Sequence, residues 1–498
     1  MYLGLDLGTS GLKAVLISHE GEILAQASAT LTSQQPYPNW SEQDPQSWWQ
    51  ACKQAIQQLH SQTDLRGLKA IGLSGQMHGA TLLDQQGNVL RPCILWNDGR
   101  SHDECEAFEQ TCKTSRQLSG NLAMPGFTAP KLLWLQRHEP ALFEQIATVL
   151  LPKDYLRYRL TGEFATDMSD ASGTLWLNPA TRDWDDQLLA ATSLTRQHMP
   201  RLYEGTQITG VVSPVIAQEL GIQSVPVVAG AGDNAAGAIG MGILDPGQAL
   251  LSRGTSGVLF VVSEQHQAAP LQTVHAFCHA IPNRWHQMGV TLGAASALDW
   301  LAKMVDQSVP QLLQGLENAA IEKTSVIFLP YLSGERTPHN NPDAMGQFFG
   351  LSTRSGLADM TLAVLEGVAF SMVDCQQALL SAGSEIEEVS LIGGGARSPR
   401  WRQILADCLQ KTVSLRDGGA VGPGLGAARL ALIGTESLAQ DTDLSKLIAK
   451  VCQVPPSLAT HSPNACLKLY YQEKLSLYRS LYQQTQSLAQ RLARLDIR

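Results

Sequence analysis

The chain carries one strand–turn–strand pattern twice, half a chain apart. YLGLDLGTSGLKAVLI at residues 2–17 and GQALLSRGTSGVLFVVS at 247–263 each set a Gly-Thr-Ser-Gly turn between two apolar runs. Apolar runs with so little alternation read as hairpin strands buried on both faces. Gly8 and Gly254 stand 246 residues apart in a chain of 498. A repeat at half-length implies two related domains in tandem. The turn-forming LDPGQ places the boundary near residue 245, giving domains 1–245 and 246–498.

Between and after the hairpins, strand and helix patterns alternate, which points to the α/β class. KAIGLSGQMHGATLLD reads as strand, loop, strand, and QSWWQACKQAIQQLH as an amphipathic helix. VPVVAGAGDNAAGAIGMG reads as a buried strand, a glycine-rich turn and a small-residue helix. LADMTLAVLEGVAFSMVDCQQALL is a long helix, and EVSLIGGGARSPRWRQILADCL is strand, turn, helix. The tail spaces Tyr471, Tyr478, Leu481, Leu488, Leu492 and Leu495 as a terminal packing helix does.

Composition removes several classes. A net charge of −9 argues against a nucleic-acid partner. Mean hydropathy is −0.07, and no apolar run approaches the roughly 18 residues of a membrane span. The start MYLGLDLGTSG lacks a basic n-region and a cleavage site, so a cytoplasmic enzyme is expected. Nine scattered cysteines without a C-x-x-C pair read as reduced thiols, mostly core filler. His275, Cys278 and His279 could clamp a metal on a helix, but no further ligand lies nearby at suitable spacing, and a strand or loop rim is the plainer reading.

Two glycine-rich hairpins facing each other form a phosphate clamp, because backbone N–H groups approach an anion closely only where side chains are absent. Gly8, Thr9, Ser10, Gly254 and Thr255 are its candidate contacts, with Ser256 as a further hydroxyl and Lys13 as a point charge. Asp6 interrupts an apolar strand just before the first turn, a costly place for a carboxylate without a partner or metal. Beside a phosphate site it suits Mg²⁺; a turn cap is its plainer role. Asp233, among small neighbours after another apolar strand, reads as a base, as a helix N-cap, or as both. The GGG of LIGGGARS, with Gly394 and Gly395, forms a strand–loop–helix nucleotide site that matches neither the Rossmann nor the P-loop pattern.

These pieces together resemble the FGGY carbohydrate kinases of the actin, sugar kinase and heat-shock-70 superfamily. DLGTSGLK at 6–13, DNAAGAIG at 233–240, RGTSG at 253–257, LIGGGARS at 391–398 and GPGLGAA at 422–428 occur in the family's order. GFTAPKLLWLQRH at 126–138 and GQFFGLSTRSGLADMTLAVLE at 346–366 match its longer signatures. Within the family, GQMHGATLLD, ILWNDGR and YLSGERTPHNNP are similar to members acting on D-xylulose. The resemblance implies two ribonuclease-H-like domains flanking a cleft, with ATP and Mg²⁺ in it and a homodimer by family habit. It also implies Asp233 as catalytic base, Asp6 and Asp233 at the metal, and Met77 and His78 on the ketose. Asn234 and Arg100 join the expected sugar side, with Asp98 beside them. Arg253 and Pro423 depart from the family pattern; strand parity aims Arg253 away from the cleft, toward a carboxylate partner or solvent.

The reaction so implied is transfer of the ATP γ-phosphoryl group to D-xylulose, giving the 5-phosphate. Asp233, taken with an ordinary pKa of about 3.9, would accept the proton late. A kinase for another pentulose or polyol, a sugar-independent ATPase of the same superfamily and an inactive sugar sensor are the alternatives.

Overall fold

The computed structural model describes residues 1–393, 398–419, 421–438, 443–493 and 495. Gly394, Gly395 and the side chain of Arg253, all assigned roles above, lie outside the described residues. The first hairpin is β1 (Tyr2–Leu7) and β2 (Gly11–Ile17), followed by β3 (Ile23–Thr30) and β4 (Ala70–Gly75). β5 (Ile208–Val211), β6 (Pro226–Val228) and β7 (Ala231–Gly232) complete a sheet of order β5-β6-β4-β1-β2-β3, with β7 paired to β4. The second hairpin is β8 (Gln248–Arg253) and β9 (Gly257–Ser263). With β10 (His275–Cys278), β11 (Trp285–Thr291), β12 (Glu388–Ile392), β13 (Thr412–Arg416) and β14 (Ser457–His461) it forms the order β10-β11-β9-β8-β12-β13-β14.

The two sheets share their central plan. β1 pairs antiparallel with β2 and parallel with β4; β8 pairs antiparallel with β9 and parallel with β12. The repeat seen in four residues of sequence is therefore a repeat of whole sheets. Each hairpin strand is central in its sheet, as its mostly apolar run leads one to expect.

The helices fall where their patterns put them. α1 (Pro45–His60) starts behind Asp44, whose carboxylate accepts from Gln46 N at 2.9 Å, and buries Trp48 and Trp49. α2 (Asp233–Gly240) follows β7 directly. α3 (Ala295–Met304), α4 (Leu357–Ser381), α5 (Pro399–Leu409), α6 (Gly422–Glu436) and α7 (Lys468–Ala493) belong to the second half of the chain. α7 buries Tyr471, Tyr478 and Leu481, but Leu488 and Leu492 are half exposed, so the apolar spacing outruns the packing. The segment of His275, Cys278 and His279 is a strand and its end, not a helix, so the helical metal clamp does not form. Six of the nine free cysteines are buried; Cys466 is exposed.

α6 joins the halves. It comes late in sequence yet lies on the first sheet and along α2. A Cβ on Gly4 would meet Gly424 O at 1.9 Å, one on Gly72 would meet Ala427 O at 1.9 Å, and one on Gly426 would meet Ala236 O at 1.8 Å. Helix and sheet thus touch backbone to backbone. Arg429 then donates to the carbonyls of Ile239 and Gly240 at 3.0 Å each, satisfying the end of α2. Pro423, the departure from the family pattern, sits in the first turn of α6, where a proline has no helical hydrogen bond to lose. Gly426→Ala is expected to cost about 1–3 kcal/mol by overpacking. Urea unfolding with an unchanged midpoint would show that the helices can part at no cost.

Candidate active site

Asp6 lies at the end of β1, opposite Lys13 in the hairpin register, and accepts from Ser74 Oγ at 3.1 Å. Burial pushes its carboxyl up, while Ser74 and Lys13 pull it down. The turn beyond it is closed by Gly8 N donating to Gly11 O at 3.0 Å. Ser10 and Lys13 are exposed there. Thr9 differs from its expected role as a phosphate donor. Its hydroxyl donates to Gln76 Oε1 at 2.8 Å and accepts from Trp96 Nε1 at 3.0 Å. Gln76 donates on to Gln43, which also accepts from the Trp48 indole. This network props the turn from below. The polar glutamines inside it gave no motif to find.

Asp233 opens α2, with Gly232 in the cap position, so Asp233 is not itself the N-cap. Its Oδ1 accepts from Asn234 N at 2.7 Å and from Asn234 Nδ2 at 3.0 Å. Asn234, expected on the sugar, also holds Asp233 in place. Among the described residues no hydrogen bond uses Oδ2, which leaves that oxygen for a ligand. Burial first, then the charge of Asp6, pushes Asp233 up to about 7. The ordinary carboxylate pKa expected from sequence is corrected by that burial.

Met77 and His78 sit between two glycines. A Cβ on Gly232 would meet Met77 Sδ at 2.9 Å, and one on Gly173 would meet the His78 ring at 2.6 Å. Met77 and His78 are thereby held against the segment that carries Asp233. His78 has a φ of +69°, a left-handed conformation uncommon for a side chain with a Cβ. Lys131 Nζ at 2.8 Å and Thr128 Oγ1 at 3.1 Å hold its carbonyl there. Lys131 is fully buried, and burial lowers it to about 7. A lone lysine in the apolar run TAPKLLWL was the signal that could have found it. The His78 Nδ1 lies 2.6 Å from Gly173 O, which can only accept, so Nδ1 carries the proton and Nε2 is left as an acceptor. Burial lowers His78 to about 3.

Arg100 does not line the sugar site. Its side chain is fully buried, forks onto Asp98 at 2.7 and 2.9 Å, and reaches Glu42 at 2.7 Å. Its guanidinium lies 3.6 Å from the centre of the Trp40 ring. It is a buried structural ion pair. In the second hairpin, Gly254 and Thr255 are exposed. Their carbonyls accept from Ala295 N and Ala294 N at 3.0 and 3.1 Å, which ties the turn to the start of α3.

Two sheets with matching hairpins, and a carboxylate of raised pKa in the first held beside an uncharged imidazole, fit a two-lobed phosphotransferase for a hydroxyl acceptor. Residues 1–240 match the N-terminal domain of the FGGY family of carbohydrate kinases and residues 249–435 its C-terminal domain. The chain belongs to that family and is a sugar kinase. It is 53% identical over 485 residues to the xylulose kinase of Escherichia coli K12, covering 97% of this chain and 99% of that one. The Klebsiella pneumoniae xylulose kinase is also 53% identical, over 90% of this chain and 92% of its own. A crystal structure titled a "xyloylose kinase" from Brucella ovis superposes with a TM-score of 0.93 at 46% identity, covering 98% of this chain and 99% of that one.

Two outcomes follow from this geometry. Arg100→Met leaves Asp98 buried without its cation, while Glu42 keeps Arg91, so stability should fall by about 3–5 kcal/mol while the sugar KM stays within about threefold. A raised sugar KM at unchanged stability would return Arg100 to the pocket wall. His78, with its folded pKa far below the unfolded value near 6.5, stays neutral as pH falls from 8 to 5; holding it so costs stability only below about pH 6.5. Proton–nitrogen spectra of ¹⁵N-histidine-labelled enzyme should show an Nδ1–H tautomer with no titration in that range. A step near pH 6.5 in the signal missing from His78→Asn would contradict it.

Proposed function

We propose that the enzyme transfers the γ-phosphoryl group of ATP to the terminal hydroxyl of D-xylulose, with Asp233 as general base. The observation that carries this reading is the free Oδ2 of Asp233, held beside Met77 and His78 on one side and near Asp6 and the first hairpin on the other. The near-full-length likeness to xylulose kinases supports the choice of sugar.

The sugar hydroxyl oxygen attacks the γ-phosphorus and the bond from phosphorus to the ADP oxygen breaks. The hydroxyl proton passes to Asp233 Oδ2. A carboxylate raised to about 7 is well matched to accept it near neutral pH. Asn234 fixes Oδ1, so only one oxygen is presented. The hairpins hold the phosphates, and with a loose transition state this positioning is most of the catalysis.

Mg²⁺ fits at Asp6 and Asp233, two buried carboxylates, the first of which raises the cost of ionising the second. Among the described residues no group of three or more His, Cys, Asp or Glu could hold an ion. Mg²⁺ commonly takes one or two carboxylates and fills its shell with water and substrate phosphates. Bound there, it would neutralise charge on the phosphates.

ADP release from ATP should be strongly stimulated by D-xylulose. Asp233→Asn should keep the fold and lose about 10²–10⁴-fold in kcat. A loss below tenfold removes Asp233 as base, and sugar-independent ADP release at the full rate favours a plain ATPase.

A further inference from the structure

Arg336 lies in the second lobe, in the segment SGERTPHNNP at 333–342. Its backbone is pinned from several sides. Thr337 N donates to Val290 O at 2.9 Å, Val290 N to Thr337 Oγ1 at 3.0 Å, and Thr273 Oγ1 to Arg336 O at 3.1 Å. The neighbouring Glu335 is spent inward: its carboxylate accepts from Thr291 Oγ1 at 2.6 Å, Leu292 N at 2.9 Å and Arg336 N at 2.7 Å. The Arg336 guanidinium is different. Among the described residues, no hydrogen bond or ion pair reaches it. Burial works against its charge, and only Glu335 favours it.

A well-anchored but unpaired guanidinium is costly unless a ligand completes it. Arg336 borders a cavity of about 710 Å³ whose facing wall includes Met124 and Pro125 of the first lobe. Those residues lead straight into Phe127, whose ring lies 4.8 Å from that of His78 and 5.4 Å from that of His275. The charge of Arg336 acts on both His78 and His275, so Arg336 lies near His78 although they come from opposite halves of the chain.

We propose that Arg336 is a specificity-determining residue of the sugar site, contributed by the second lobe and donating to oxygens of the ketose; this rests on the kinase reading above. The chemistry of the two side chains selects such a ligand. The guanidinium offers donors only, and His78 Nε2 offers an acceptor only. A hydroxyl both accepts and donates, so a hydroxyketone pairs with both. A sugar carboxylate would satisfy the guanidinium but present only acceptors to Nε2. The rival role is an ion pair across the cavity to Asp103 or Glu106, which line its far wall.

Arg336→Gln and Arg336→Lys, assayed with D-xylulose and ATP, separate these roles. Removing a half-buried guanidinium that makes no ion pair among the described residues should leave the fold intact, checked by circular dichroism. The glutamine variant should raise the KM for D-xylulose tenfold or more, with the KM for ATP within threefold. The lysine variant, which keeps the charge and loses the planar fork, should fall between it and the parent. A sugar KM within twofold of the parent in Arg336→Gln overturns the inference. So does an equal rise in both KM values, which would assign Arg336 to lobe closure. Should the glutamine variant fail to fold, the lysine variant carries the same readout, and a sugar KM equal to the parent's overturns the inference. A parent that turns over no D-xylulose would instead sink the kinase reading itself.

Discussion

The backbone contact between α2 and α6 is the constraint on which the rest depends. Gly426 meets Ala236, and Gly240 meets Gly422, at distances that admit no Cβ. One helix begins with Asp233. The other begins beside Asp6, since a Cβ on Gly424 would stand 3.7 Å from Asp6 Cβ. Packing that joins the halves therefore also sets the spacing of the two carboxylates. Small residues permit the approach, and Arg429 closes it by satisfying carbonyls that the end of α2 leaves open.

The site divides into polar groups already satisfied by the protein and groups left over. Thr9, Gln43, Gln76, Asn234 and Arg100 are spent on one another or on neighbours. Among the described residues, Asp233 Oδ2, His78 Nε2 and the Arg336 guanidinium are not. Buried polar groups without partners are costly, so those that persist mark where ligand atoms belong. This division, more than residue type, separates support from chemistry.

It also explains which parts of the site were legible beforehand. Asp6 and Asp233 stood out because a carboxylate in an apolar run has no local excuse. The hairpins stood out because their turns repeat. Arg100 and Asn234 were placed on the sugar because both have the right chemistry for one, and the structure shows the protein partners that hold them. The partners that claim Arg100 include Glu42, far away in sequence and brought near only by the fold. Gln76 went unnoticed because nothing in its local pattern says what it holds, and Lys131, though conspicuous in an apolar run, meets its partner His78 only in the fold. The base strength of Asp233 was misjudged for a related reason, since burial and a second carboxylate raise it.

By itself the sequence determined the α/β class, the half-length repeat, the hairpins and the two carboxylates that matter. Local patterning decides these, because strand burial and turn chemistry are written in adjacent residues. Only the tertiary structure decided that α6 returns to the first sheet, that Asp233 is raised toward neutrality, and that the charge of Arg336 reaches His78. Each depends on groups distant in the chain sharing a desolvated space, where the energy of a charge is set by what surrounds it.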